Sequence, residues 1–230
     1  MCVRKYRFTR EAQDDYAIAS FKRALAAQAA GHLNDVYAPV EIPTKKGTIV
    51  AERDEEPARF IEEKFRSLRP VFDASGTITA GNASAISDGA AAMVVVSEAK
   101  ARALRVPVQA RILGYATASQ APEWFTTAPV AALRKLGEQL SLKLSDVDAF
   151  EINEAFAPVV MVAMQELKLP HDKVNVLGGA IAVGHPIGAS GARIIATLIQ
   201  ALKVRGGTLG VAGLCIGGGE ASAIAIELVK

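Results

Sequence analysis

From Val174 to Ala201 the chain carries one charged side chain, Arg193, and one other ionisable group, His185, among repeated glycines. So long a charge-poor stretch has few folded solutions: its backbone is buried or it meets a ligand. The remainder supplies a core for it to join. Half of the 230 residues are hydrophobic (50%) and the formal net charge is +2, which excludes disorder as the main theme. Lys+Arg at 26 against Asp+Glu at 24 leaves no basic excess for a nucleic-acid backbone or an anionic membrane. Charge gathers before about residue 69, as in Arg53-Asp54-Glu55-Glu56, so a boundary is expected near 70–90, dividing the chain into 1–88 and 89–230.

No apolar run is long enough to span a bilayer, and Met1–Tyr16 has no apolar core behind its basic residues. The last residues, Glu227 to Lys230, match no peroxisomal or retention tag. Two cysteines build no disulfide scaffold. These features predict a soluble protein of the reducing cytoplasm.

A helix is predicted over 9–30, capped by Thr9, with Glu11 and Asp14 at its positive end and Gly31 as its stop. A small ribbon follows, 36–42 and 48–51, joined through Lys45-Lys46-Gly47. Beyond residue 88 strands and helices alternate. Strands are expected at 91–96, 108–117, 148–152, 173–176, 209–215 and 221–228. Helices are expected at 97–104, 128–140, 154–167 and 186–203. This alternation predicts an α/β layered fold with right-handed crossovers, its last two strands an antiparallel hairpin.

Three stretches carry unusual residue combinations. Asn153-Glu154-Ala155-Phe156 falls where a strand passes into a helix, at the end where open α/β sheets bind ligands. Asn153 there either caps the helix or holds a water or an oxyanion. His185 stands between a glycine-rich loop and a helix opened by Pro186. The positive helix end would keep it a neutral hydrogen-bond donor; the bland alternative is a structural histidine. Cys215 ends an apolar strand just before Gly217-Gly218-Gly219, either as a small buried hydrophobe or as a thiol beside free backbone N–H groups. His32 and His171 read as surface residues and Cys2 as part of a frayed terminus. Neither histidine has metal-ligand spacing, so no metal is expected.

Taken together, these stretches resemble the thiolase family. The resemblance rests on NEAFA at Asn153–Ala157, GGAIAVGHPIGASGAR at Gly178–Arg193 and CIGGG at Cys215–Gly219. GTITAGNASAISDG at Gly76–Gly89 and REAQDDYAIA at Arg10–Ala19 extend it along essentially the whole chain. Asp54–Arg59 and the Glu123-Trp124-Phe125 loop look most like acetoacetyl-CoA thiolases.

The resemblance implies the joining of two acetyl-CoA molecules into acetoacetyl-CoA and CoA, or the reverse cleavage, with no cofactor beyond the coenzyme A thioesters. It implies that His185 activates the nucleophilic thiol and donates to a thioester oxygen. Cys215 would remove the α-proton, Asn153 would hold the oxyanion-site water and the Gly217 N–H would serve a second oxyanion hole. Ser84, Ala80, Ala155 and Phe156 would line the pantetheine channel. A homo-oligomer is expected. A 3-oxoacyl-CoA thiolase and a non-catalytic CoA-binding or assembly protein stand as alternatives.

One departure accompanies the match. Family members form their acyl-enzyme on another cysteine, in a first half that precedes these residues. The other cysteine here is Cys2, and Met1-Cys2-Val3-Arg4-Lys5-Tyr6 does not resemble that motif. The expectation is a C-terminal half plus part of the loop domain of a layered α-β-α-β-α fold, with an apolar face exposed.

Overall fold

The computed structural model describes residues 1–229. Two helices open the chain, α1 (Cys2–Tyr6) and α2 (Arg10–Ala29). Thr9 caps α2 by accepting the Ala12 N–H at 3.1 Å, and Arg10 braces the first turn through Asp14 at 2.7 Å. A ribbon of β1 (Val40–Thr44) and β2 (Gly47–Ala51) follows, antiparallel and almost wholly exposed. A 3-10 turn at Glu56–Arg59 and the short α3 (Glu62–Phe65) fold back on α2. There Phe21 and Phe60 stack at 4.7 Å and Phe65 meets both rings edge-on.

The body of the chain runs α4 (Glu98–Leu104), β3 (Ala110–Ser119), α5 (Ala128–Gln139), β4 (Ala149–Ile152) and α6 (Ala157–Leu167). It continues with α7 (Ala180–Val183), α8 (Ser190–Arg205), β5 (Leu209–Ile216) and β6 (Glu220–Leu228). The sheet order is β3-β6-β5-β4. β4 and β5 are parallel; β6 is antiparallel to both its neighbours. Strand alternation sorts the core into two layers. Val211 and Ala225 face Leu133, Leu136 and Val160 of α5 and α6, while Ala212 and Ile226 face Ile194, Leu198 and Leu202 of α8. The sheet is therefore sandwiched between helices, as the alternating pattern predicts.

Asp148 ties the crossover into the sheet. Its carboxylate accepts the Thr208 and Leu209 N–H groups at 2.8 and 2.9 Å, which hold it below the usual carboxylate range. Asp148→Ala is expected to cost about 1–3 kcal/mol, read as a lower urea midpoint with unchanged slope. An unchanged midpoint would remove these bonds from the supports of β5.

Three local expectations are corrected. Residues 91–96 form no strand: no described strand lies alongside, and Val94 is 93% exposed. An apolar run signals burial, but a strand also needs a neighbour for its backbone groups. Residues 173–176 form no strand: Val174 makes a single bridge to Phe150, and beyond it the Asn175 side chain takes over, bonding the Ile152 N–H and carbonyl at 2.8 Å each. The helix predicted from Pro186 begins at Ser190, because 186–189 are a turn closed by the Ala189 and Ser190 N–H groups on the Pro186 carbonyl.

Candidate active site

β4 aligns Ile152 with Gly213 of β5, and the Asn153 N–H donates to the Gly213 carbonyl at 2.9 Å. Cys215 lies two residues further along β5, about 7 Å at strand rise, on the same carboxyl edge. Alternation from buried Ala149 sends Glu151 and Asn153 toward α8. The chain past Asn153 bends at Ala155 and enters its helix only after Phe156, where the 82–84 loop binds it. Ser84 N–H donates to the Ala155 carbonyl at 3.1 Å, and Ala157 N–H to the Asn82 carbonyl at 2.9 Å.

The same loop reaches the histidine. His185 N–H donates to the Ala85 carbonyl at 3.0 Å, which brings the glycine-rich turn beside the strand end. There His185 Nε2 lies 3.2 Å from Asn153 Nδ2, and its Nδ1 lies 2.6 Å from Ser190 Oγ. Arg193 Nη2 donates to Asn153 Oδ1 at 3.0 Å. Burial, and then the Arg193 charge, push the His185 pKa down. The imidazole is thus held neutral for a different reason from the one the sequence suggests, since α8 starts five residues after it.

Cys215 is buried, and that burial pushes its thiol up to about 11, so it rests as a thiol at neutral pH. Gly217 sits exposed in the turn between β5 and β6. Ser84, Ala155 and Phe156 are brought together by the loop bonds, and Phe156 meets Phe72 and Phe125 edge-on at 6.0 and 6.4 Å. Ala80 stands exposed in the Thr79–Asn82 turn that precedes them. Ser87–Ala91 and Pro186–Ala189 line a shallow cleft next to the histidine turn.

Sequence reasoning missed the groups that hold this site. Glu154 is fully buried and accepts four donors: Tyr16 OH at 2.7 Å, Ser20 OH at 2.7 Å, Asn175 Nδ2 at 2.9 Å and Ile181 N–H at 3.1 Å. Gly179 lets that carboxylate approach, for a Cβ there would lie 2.3 Å from Glu154 Cδ. Ser190 and Arg193 were inside the quoted motif without a role. The isolation of Arg193 in a charge-free stretch was the available signal.

Cys2 is corrected: it is buried in α1 within the core, and burial raises its thiol pKa. An activated thiolate needs the opposite setting. His171 is corrected as well, being half-buried and stacked on Tyr16 at 5.3 Å. His32 is partly buried too.

A mixed sheet between helices, with a paired Asn and His at its carboxyl edge, defines the layered α/β class in which strand-end turns build the site. Comparison with known proteins makes this specific: the chain belongs to the thiolase family. Residues 106–228 match the model of the thiolase C-terminal domain and residues 1–99 that of the N-terminal domain. It is 50% identical to acetyl-CoA acetyltransferase 2 of Arabidopsis thaliana over 232 residues, covering 100% of this chain and 58% of that protein. Against the cytosolic acetyl-CoA acetyltransferase ERG10 of Gibberella zeae the identity is 48%, over 99% of this chain and 58% of the relative. The crystal structure of the Bacillus anthracis acetyl-CoA acetyltransferase superposes with a TM-score of 0.96 at 42% identity, over 99% of this chain and 58% of that one. The chain therefore spans little more than half the length of the relatives it matches.

Proposed function

We propose that this chain carries the acid–base part of a thiolase-type acyl transfer. The reaction is the condensation of two acetyl-CoA molecules to acetoacetyl-CoA and CoA, or its reverse. The observation that supports it best is the contact of Asn153 with His185 at 3.2 Å, on the sheet edge that also carries Cys215. The relatives' names, acetyl-CoA acetyltransferases, agree with that reading. One relative is named as cytosolic, and no described helix is long and apolar enough to cross a membrane, so we read the chain as cytoplasmic.

In this mechanism Cys215, once ionised, takes an α-proton from the acetyl thioester, and the C–H electron pair moves into an enolate. His185 takes a proton from the reacting thiol and then, as Nε2–H, donates to the thioester oxygen, beside a water held by Asn153. Such preorganised donors are worth most in a site shielded from water. The Gly217 N–H serves the second oxyanion. Ser84, Ala80, Ala155 and Phe156 lie along the pantetheine arm, and an Ascaris suum thiolase solved with coenzyme A superposes with a TM-score of 0.88. The chemistry requires no metal or cofactor, and the assembly is a homo-oligomer.

The test is exchange of the acetyl-CoA methyl protons for deuterium, a step that needs no acyl-accepting cysteine. The chain is expected to catalyse it, faster as pH rises toward the Cys215 pKa of about 11. Cys215→Ser should lose roughly 10²–10⁴-fold. No exchange by a folded chain, or equal exchange by Cys215→Ser, would overturn the proposal. Acetoacetyl-CoA cleavage is expected to be absent, because Cys2 is buried with a raised pKa. That same observation favours one second reading, a non-catalytic CoA-binding chain, whose result is CoA binding without exchange.

A further inference from the structure

Four side chains and one carbonyl form a continuous run of hydrogen bonds through the site. Arg193 Nη2 meets Asn153 Oδ1 at 3.0 Å, Asn153 Nδ2 meets His185 Nε2 at 3.2 Å, and His185 Nδ1 meets Ser190 Oγ at 2.6 Å. Ser190 Oγ then meets the Pro186 carbonyl at 3.0 Å. The two ends have no choice of role, since a guanidinium only donates and a carbonyl only accepts.

Arg193 therefore claims the carboxamide oxygen, and Asn153 must turn its NH₂ toward the imidazole. That group only donates, so Nε2 accepts and the ring proton stands on Nδ1. At the other end the Ser190 hydroxyl is able to donate to the Pro186 carbonyl, which already takes the Ala189 and Ser190 N–H groups. Its oxygen can then accept from Nδ1–H, whereas a rotated hydroxyl would donate to a bare Nδ1. The Arg193 end alone dictates the tautomer, and the Ser190 hydroxyl accommodates it. Reversing the carboxamide would set donor against donor at Arg193, across 3.0 Å.

We infer that Arg193 is a positioning residue: acting through Asn153, it fixes His185 as the Nδ1–H tautomer with the Nε2 lone pair turned toward the site. The fold supplies Arg193 from the first turn of α8, on the face toward which alternation directs Asn153. Its catalytic meaning rests on the acyl-transfer reading, in which Nε2 must begin as an acceptor to take a thiol proton. The tautomer itself belongs to the folded chain and is read without substrate. Failure of acyl transfer thus leaves it standing, and its own failure leaves acyl transfer standing.

The chain holds three histidines, so long-range ¹H–¹⁵N imidazole spectra of the labelled protein are readily assigned with His32→Gln and His171→Gln. Above the titration of the ring, His185 is expected as a single Nδ1–H species. Arg193→Met should convert it to a mixture of both tautomers, and Arg193→Lys, whose ammonium also only donates, should restore one. A merely structural arginine would not move the tautomer of a folded chain. An Nε2–H ring in the parent protein, or an unchanged Nδ1–H ring in folded Arg193→Met, overturns the inference. Should Arg193→Met fail to fold, Asn153→Asp decides: its carboxylate cannot donate, so the proton should pass to Nε2, and an unmoved Nδ1–H ring overturns the inference equally.

Discussion

Glu154→Ala is expected to cost about 4 kcal/mol or more, among the largest losses a single substitution produces. The carboxylate is fully buried and takes donors from α2, from Asn175 and from the first turn of α7. Removing it strands those donors away from water, and each unsatisfied buried group costs about 1–3 kcal/mol. Glu154→Gln keeps the shape but places an amide NH₂ among donors, so an intermediate loss is expected. Urea unfolding of the variants checks both. A loss below about 1 kcal/mol for the alanine variant would mean that the donors find other partners, and that Glu154 does not hold α2 to the sheet edge.

Glu151→Gln should act in the opposite direction, and only at higher pH. Glu151 is buried facing α8, one of its carboxylate oxygens lacks a hydrogen-bond partner, and its pKa stands at about 8. Burial is the main cause; Arg193 opposes it and Glu154 adds to it. The sign follows from proton counting. Between the unfolded value of 4.5 and about 8, the unfolded chain has released a proton that the native chain keeps. Stability therefore falls as pH rises through that window, by about 1.4 kcal/mol per unit. Below it the contribution is fully present, and above it the loss is complete. The variant lacks this slope. Relative to the parent it should gain roughly 3–5 kcal/mol between the two ends of the window, on top of any constant offset from the amide. Urea midpoints at about pH 5, 6, 7 and 8 give the two curves; parallel curves would show that Glu151 ionises in its ordinary range.

How much of this was legible depended on the reach of each interaction. Helix α2 was readable because Thr9, Glu11 and Gly31 act within a turn of its ends. The β5–β6 hairpin was readable because an apolar alternation surrounds a glycine turn. Residues 91–96 misled for the reason that burial and pairing are different requirements, and composition reports only the first. Asn153, His185 and Cys215 stood out through their glycines and their places at strand ends. The meeting of Asn153 and His185 did not, since it crosses 32 residues, and Arg193 reaches Asn153 across 40. Glu154 was hidden further still: inside NEAF it looks like an ordinary helix-start acid, and nothing local announces a tyrosine and a serine from the other end of the chain.

That separation sets a timetable on the ribosome. Tyr16 and Ser20 precede Glu154 by 138 and 134 residues, which at roughly 5–20 residues per second is on the order of ten seconds of synthesis. Helix α2 must wait that long for the carboxylate it will bind. The face that waits carries Gln13, Asp14, Tyr16 and Ser20 among its small apolar residues, and these polar groups are hydrated until the sheet edge arrives. A helix with a wholly apolar inner stripe would spend those seconds seeking other hydrophobic surfaces.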